Sequence, residues 1–141
     1  MIIPDINLLV YAYDPEASRH NSARQWWEGL VNGSEPVGLP WAVIVGFVRL
    51  VTNASAVSHP MTPQRAIDHV EEWLSYSHIA PLDPGPQHLA NFRRALALTG
   101  TGRNRVPDAH IAALALEHGA AVHSNDSDFG RFPGLRRRNP L

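Results

Sequence analysis

The chain has 141 residues, a length that suits one domain with its own core rather than two. Its residues are 44% hydrophobic and 18% charged, and its net charge is −1, so no global field draws it to nucleic acid or membrane, and an anionic ligand needs a local basic patch. It has no Cys, which removes disulfides, thiolate zinc sites and cysteine nucleophiles, and no Lys among its 12 basic residues, which removes the P-loop and Schiff-base chemistry. The N-terminus shows no basic region followed by a long apolar run, and no stretch approaches ~18 apolar residues. A cytoplasmic protein that does not enter a membrane is expected.

Met1 to Ile3 reads as a short apolar strand, with Pro4 at its end because it has no N–H for a ladder. Asp5 opens a helical pattern in which Ile6, Leu9, Val10 and Tyr13 recur, and Asp14-Pro15 stops it. Residues 16–33 read as an amphipathic helix with Ala23, Trp26, Trp27 and Leu30 on one face. A short strand follows between prolines at 36–41. Residues 41–53 are long enough for a buried helix, although their Val content leaves a strand open. After a loop at 55–63, Thr62 is placed to cap a helix with Pro63 in its first turn, running through Ala66, Ile67, Val70 and Trp73 to Leu74. Residues 77–86 read as strand and turn, 87–100 as a helix with a Gly stop, and 101–107 as a polar, basic loop. A helix at 108–119 starts on Asp108 and ends on Gly119. Residues 120–124 form a strand, 125–134 a loop and 135–141 a last short strand. This alternation predicts an α/β fold with a mostly parallel sheet.

Acidic residues gather where such sheets bind ligands, beyond the carboxyl ends of strands. Asp5 follows the first strand; Asp126 and Asp128 follow the strand at 120–124; Asp108 opens the helix leading into it. Each also has a plainer reading. Asp108 suits a helix start, and Asn125-Asp126-Ser127-Asp128 suits a turn. Asp5 is harder to dismiss, because an acid inside an apolar segment is costly unless something pairs with it. Converging carboxylates repel, so they bind a cation or take up protons. The donor set is rich in oxygen, which favours Mg²⁺ or Mn²⁺ over zinc.

The segments IIPDINLLVYA, FVRL and PDAHIAALALEHGAAVHSNDSDF resemble, in order and spacing, the PIN-domain ribonuclease toxins of VapBC toxin–antitoxin modules. The resemblance covers essentially residues 1–141 as a single PIN domain. It implies a three-layer α/β/α sandwich around a mostly parallel sheet of four to five strands. It also implies Mg²⁺- or Mn²⁺-dependent RNA cleavage, a homodimer, and a cognate VapB-type antitoxin. By position, Asp5, Asp108 and Asp126 resemble the family's metal-binding and catalytic acids, and Asp128 an assisting one. Asn7 resembles a polar residue that braces the site, and Ser124 the hydroxyl that hydrogen-bonds the first acid.

One departure stands out. The family carries a Glu on the helix of Arg49; here that position falls near Gly46, and no acid occurs between Pro36 and Ile67. A PIN-like domain that binds RNA or antitoxin with weak or no cleavage is therefore the alternative. A phosphotransfer fold is disfavoured because its catalytic Lys is absent. For RNA phosphates, Arg103 and Arg105 lie just ahead of Asp108, and Arg49 is a third candidate, with an internal ion pair to a site acid as its other reading. His110, two residues after Asp108 on a helix, is expected to point away. Residues 135–138, Leu-Arg-Arg-Arg, read as a solvated strand edge or an antitoxin contact. Trp26 and Trp27 cannot both face inward, so one of them can line a dimer or antitoxin groove.

Overall fold

The computed structural model describes residues 1–99, 102 and 105–141. In chain order the elements are β1 (Ile2–Pro4), α1 (Ile6–Tyr13), α2 (His20–Val31), β2 (Val37–Pro40), α3 (Trp41–Val51), α4 (Pro63–Leu74), β3 (Ile79–Leu82), α5 (His88–Thr99), α6 (Arg105–His118), β4 (Ala121–His123) and β5 (Arg136–Arg138). The strands form one parallel sheet in the order β3-β2-β1-β4-β5.

That order carries a reversal. The crossovers from β1 to β2 and from β2 to β3 step outward in one direction. The crossover from β3 to β4 returns to the other side of β1. Crossovers are right-handed, so the reversal puts α1 to α4 on one face and α5 with α6 on the other. The packing agrees: α1 lies against α2 and α3, α3 against α4, and α5 against α6. The result is the expected α/β/α arrangement. β1 and β4 flank the switch point, so the crevice that an open α/β sheet offers a ligand lies beyond Pro4 and His123.

The strands are short, so the helices supply most of the core. Tyr13, Trp27, Phe47 and Trp73 meet on the first face, with the Phe47 and Trp73 rings 4.7 Å apart. The Trp73 indole N–H donates to the Tyr13 hydroxyl at 2.7 Å, which removes the penalty for burying that polar atom. Thr62 caps α4 as expected, its hydroxyl accepting from the Arg65 N–H at 3.2 Å, with Pro63 in the first turn. Gly119 takes a φ of +62° after α6, and the Ala120 N–H returns to the Ala115 carbonyl at 2.9 Å. This left-handed stop turns the chain directly into β4.

One open choice is settled, and two helix starts differ from the sequence reading. Residues 41–51 are helix, which settles the open choice there. α2 starts at His20 rather than 16, because the Asp14 carboxylate accepts from the Glu16 N–H at 3.1 Å and holds a turn first. α6 starts at Arg105, so Arg105, Val106 and Pro107 belong to the helix and not to the loop. Pro107 does not prevent this, since first-turn N–H groups have no intrahelical partner to lose. No helix among the described residues is long and apolar enough to cross a membrane.

Candidate active site

The crevice beyond β1 and β4 is walled by acids. Asp5 follows β1 and caps α1, one carboxylate oxygen accepting from the Ile6 N–H at 2.7 Å. Its other oxygen accepts from the Ser124 hydroxyl at 2.6 Å. The Ser124 hydroxyl also accepts from the Asp126 N–H at 2.9 Å. One buried hydroxyl thus ties the end of β1 to the segment leaving β4. Beyond it a 3-10 turn spans Ser127–Arg131, and the Asp126 side chain caps it by accepting from the Asp128 N–H at 2.8 Å. Asp108 comes from the first turn of α6, on the opposite face.

Asp108, Asp126 and Asp128 each offer an oxygen within 4.8 Å of the others, close enough to hold one metal ion together. Asp5 stands beside this group: its charge acts on Asp108, and the Asp126 charge acts on it. Burial drives the Asp108 pKa up to about 7, and the charges of Asp5, Asp126 and Asp128 push it in the same direction. Burial also raises the Asp5 pKa, against the pull of its hydrogen bonds from Ser124 and Ile6, with Asp126 adding to the rise. Among the described residues the only cation paired with these acids is Arg131, 3.3 Å from Asp128 on the exposed side. The cluster therefore lacks positive charge that a divalent ion would supply.

Of the residues singled out in the sequence, Asp108, Asp126 and Asp128 converge, and Asp5 and Ser124 lie directly behind them. Asn7 is exposed, and among the described residues its side chain has no hydrogen-bond partner. Arg49 is exposed and forms no ion pair with a site acid among the described residues. Arg105 is half-buried and donates through Nη1 to the Thr99 carbonyl at 2.8 Å, closing the end of α5. Arg103 lies outside the described residues. His110 does turn away, its Nδ1 lying 2.9 Å from His88 Nε2.

Gly46 accounts for the space near the expected Glu. A Cβ there would come within 2.6 Å of the Ile6 Cδ1. The side chain next to Asp5 therefore packs onto bare backbone of α3, an apolar contact where an acid was expected. The sequence offered Gly46 as a gap but gave no sign of what fills it.

The family pattern described as PIN domain matches residues 2–135. Ribonuclease VapC33 of Mycobacterium tuberculosis is 40% identical over 141 residues, covering 100% of this chain and 99% of its own. Ribonuclease VapC37 of the same organism is 39% identical over 140 residues, covering 99% of this chain and 97% of its own. In fold, the chain resembles the crystal structure of VapBC2 from Rickettsia felis bound to a DNA fragment from their promoter. The TM-score is 0.70 at 20% identity, covering 99% of this chain and 98% of that one.

Proposed function

The chain belongs to the PIN domain family, and on that footing we propose that it is a metal-dependent endoribonuclease of the VapC type. It serves as the toxin of a toxin–antitoxin pair in the cytoplasm, acting as a homodimer restrained by a VapB-type antitoxin. Residues 1–141 act as a single domain. The observation that carries the activity is the convergence of Asp108, Asp126 and Asp128 within 4.8 Å, with no buried cation among the described residues to balance them. Relatives named as ribonucleases, matched over the full chain, support the substrate class.

The donor set fits a hard cation: every ligand atom on offer is a carboxylate oxygen, which suits Mg²⁺ or Mn²⁺. When bound, such an ion supplies a lowered pKa for a coordinated water and neutralises charge building up on the phosphate. Asp108, Asp126 and Asp128 would hold it, and Asp5 would add a fourth negative charge from behind. Ser124 orients Asp5 and the Asp126 backbone with the same hydroxyl. Without an ion the Asp108 pKa is raised to about 7 by burial and by its acidic neighbours, and a bound cation would displace that proton and keep the group as a carboxylate ligand. Arg105, with donors beyond the one given to Thr99, and exposed Arg49 are the described candidates for gripping phosphates. Arg103 stays a candidate on its position in the sequence alone.

A binding-only domain is the second reading, and Gly46 is the observation in its favour. A mixed panel of RNAs with Mg²⁺, Mn²⁺ or EDTA separates the two. Cleavage that needs the metal and disappears in both Asp5→Asn and Asp126→Asn is the expected result. Undiminished cleavage by folded Asp5→Asn and Asp126→Asn chains sinks the acid assignment; no cleavage by the native chain favours the binding-only domain.

A further inference from the structure

A cavity of about 490 Å³ opens between α2, the end of β4 and the C-terminal segment, lined among others by Ser22, Gln25, Trp26, His123 and Arg138. Its size falls within the range of small-ligand sites. Trp26 is half-buried and held in place at two points. Its indole N–H donates to His123 Nδ1 at 3.1 Å, and its ring lies 5.8 Å from that of Trp27. An acceptor at Nδ1 means that the His123 proton sits on Nε2, leaving a neutral ring with a free donor edge. Burial, and then the Arg138 charge, depress the His123 pKa, in keeping with that form. Arg138 is exposed and has no carboxylate partner among the described residues.

The cavity is tied to the acid cluster by backbone. The Ser124 N–H donates to the Arg138 carbonyl at 3.0 Å, and the Asn139 amide reaches Asn125 at 3.3 Å. The chain that carries His123 into the cavity wall therefore runs directly into the Ser124–Asp126 segment of the acid cluster. A fixed aromatic ring, a free donor edge and an unpaired guanidinium are what a nucleotide needs: a face to stack on, a polar contact and a charge for its phosphate. Ile2, Leu30, Pro140 and Leu141 complete the lining, so an apolar surface for a base or sugar lies beside the polar groups that would meet a phosphate.

We propose that this cavity is a nucleotide subsite on the RNA track, in which a base stacks on Trp26 and the adjoining phosphate meets Arg138. The inference rests on the RNA-cleaving reading and extends it to substrate positioning. Arg138 and Trp26 are positioning residues, outside the acid cluster.

The test is binding of single-stranded hexauridylate and hexaadenylate to the full chain in EDTA, where nothing is cut. Trp26→Ala should weaken Kd about tenfold for both oligomers, because stacking tolerates any base. Trp26→Phe keeps a stacking face but loses the hydrogen bond to His123, and should stay within about threefold of the native chain. Arg138→Ala should reduce the slope of log Kd against log salt by about 0.7, the loss of one phosphate contact on a single strand. Equal loss in Trp26→Ala and Trp26→Phe would assign Trp26 a purely structural role and overturn the proposal. So would unchanged binding in Trp26→Ala, or a loss confined to antitoxin affinity. If Trp26→Ala does not fold, the Arg138→Ala slope decides, and an unchanged slope refutes it. If the native chain binds neither oligomer, the RNA reading itself fails, an outcome distinct from binding that the variants leave intact.

Discussion

Replacing Asp108 by Asn removes a carboxylate whose ionisation works against folding. The group moves from an ordinary 3.8 to about 7 on folding, chiefly by burial and then by the charges of Asp5, Asp126 and Asp128. A rise of that size is worth about 4 kcal/mol between the protonated and ionised states. Asp108 is only half-buried, and solvent screening reduces this to about 2 kcal/mol. A raised acid pKa favours the folded state below the unfolded value, and this contribution is lost as pH rises through about 7. Without metal, Asp108→Asn should therefore be more stable than the native chain by about 2 kcal/mol at pH 8, or about 4–8 °C in Tm, and close to equal at pH 4. Urea unfolding in EDTA across that pH range measures the gap. Adding Mg²⁺ at pH 8 should then raise the native Tm more than that of the variant, because binding to the folded state adds stability. A variant destabilised at pH 8, or a gap of the same size at both pH values, would show that the acids do not strain one another as argued.

Ser124→Ala strands a buried Asp5 oxygen and the Asp126 N–H together. Unfolding should show a loss of about 1–3 kcal/mol, and metal affinity by calorimetry a fall of about 10–100-fold, while Ser124→Thr retains most of both. Gly46→Ala should cost about 1 kcal/mol through contact with Ile6, net of the better helix propensity of Ala, and the loss should vanish in the Ile6→Ala background. A double-mutant cycle with no coupling would mean that Ile6 does not fill the space at Gly46.

The placement of Asp5, Asp108 and Asp126 was legible because strand ends and helix starts are marked locally: apolar runs stop, and polar residues follow. The reversal in strand order then brings those marks to one crevice. The closeness of Asp128 was less legible. Whether it turns toward the other acids depends on the 3-10 turn that Asp126 caps, a matter of backbone geometry rather than residue type. Asp5 looked like a direct partner in the close group, yet Ile6 and Ser124 hold its two oxygens and set it behind. The pairing of Trp26 with His123 spans 97 residues and has no local signature at all. The start of α6 was less legible, because the polar, basic residues at 101–107 carry no local mark of where the first turn begins and a Pro is at home both ahead of a helix and inside its first turn.

Gly46 and Ile6 change what the missing acid means. In both Asp5 and Asp108 the largest cause of the raised pKa is burial, ahead of repulsion by neighbours. Ile6, packed on the bare backbone at Gly46, contributes an apolar wall to the crevice beside Asp5. A Glu on α3 would add a ligand, but it would also add repulsion and draw in water. With that Glu absent, the demand for a cation rests first on desolvation of the acids and only then on their mutual repulsion. Metal affinity in such a site should respond more to wetting the wall, as with Ile6→Ser, than to adding an acid on the exposed side.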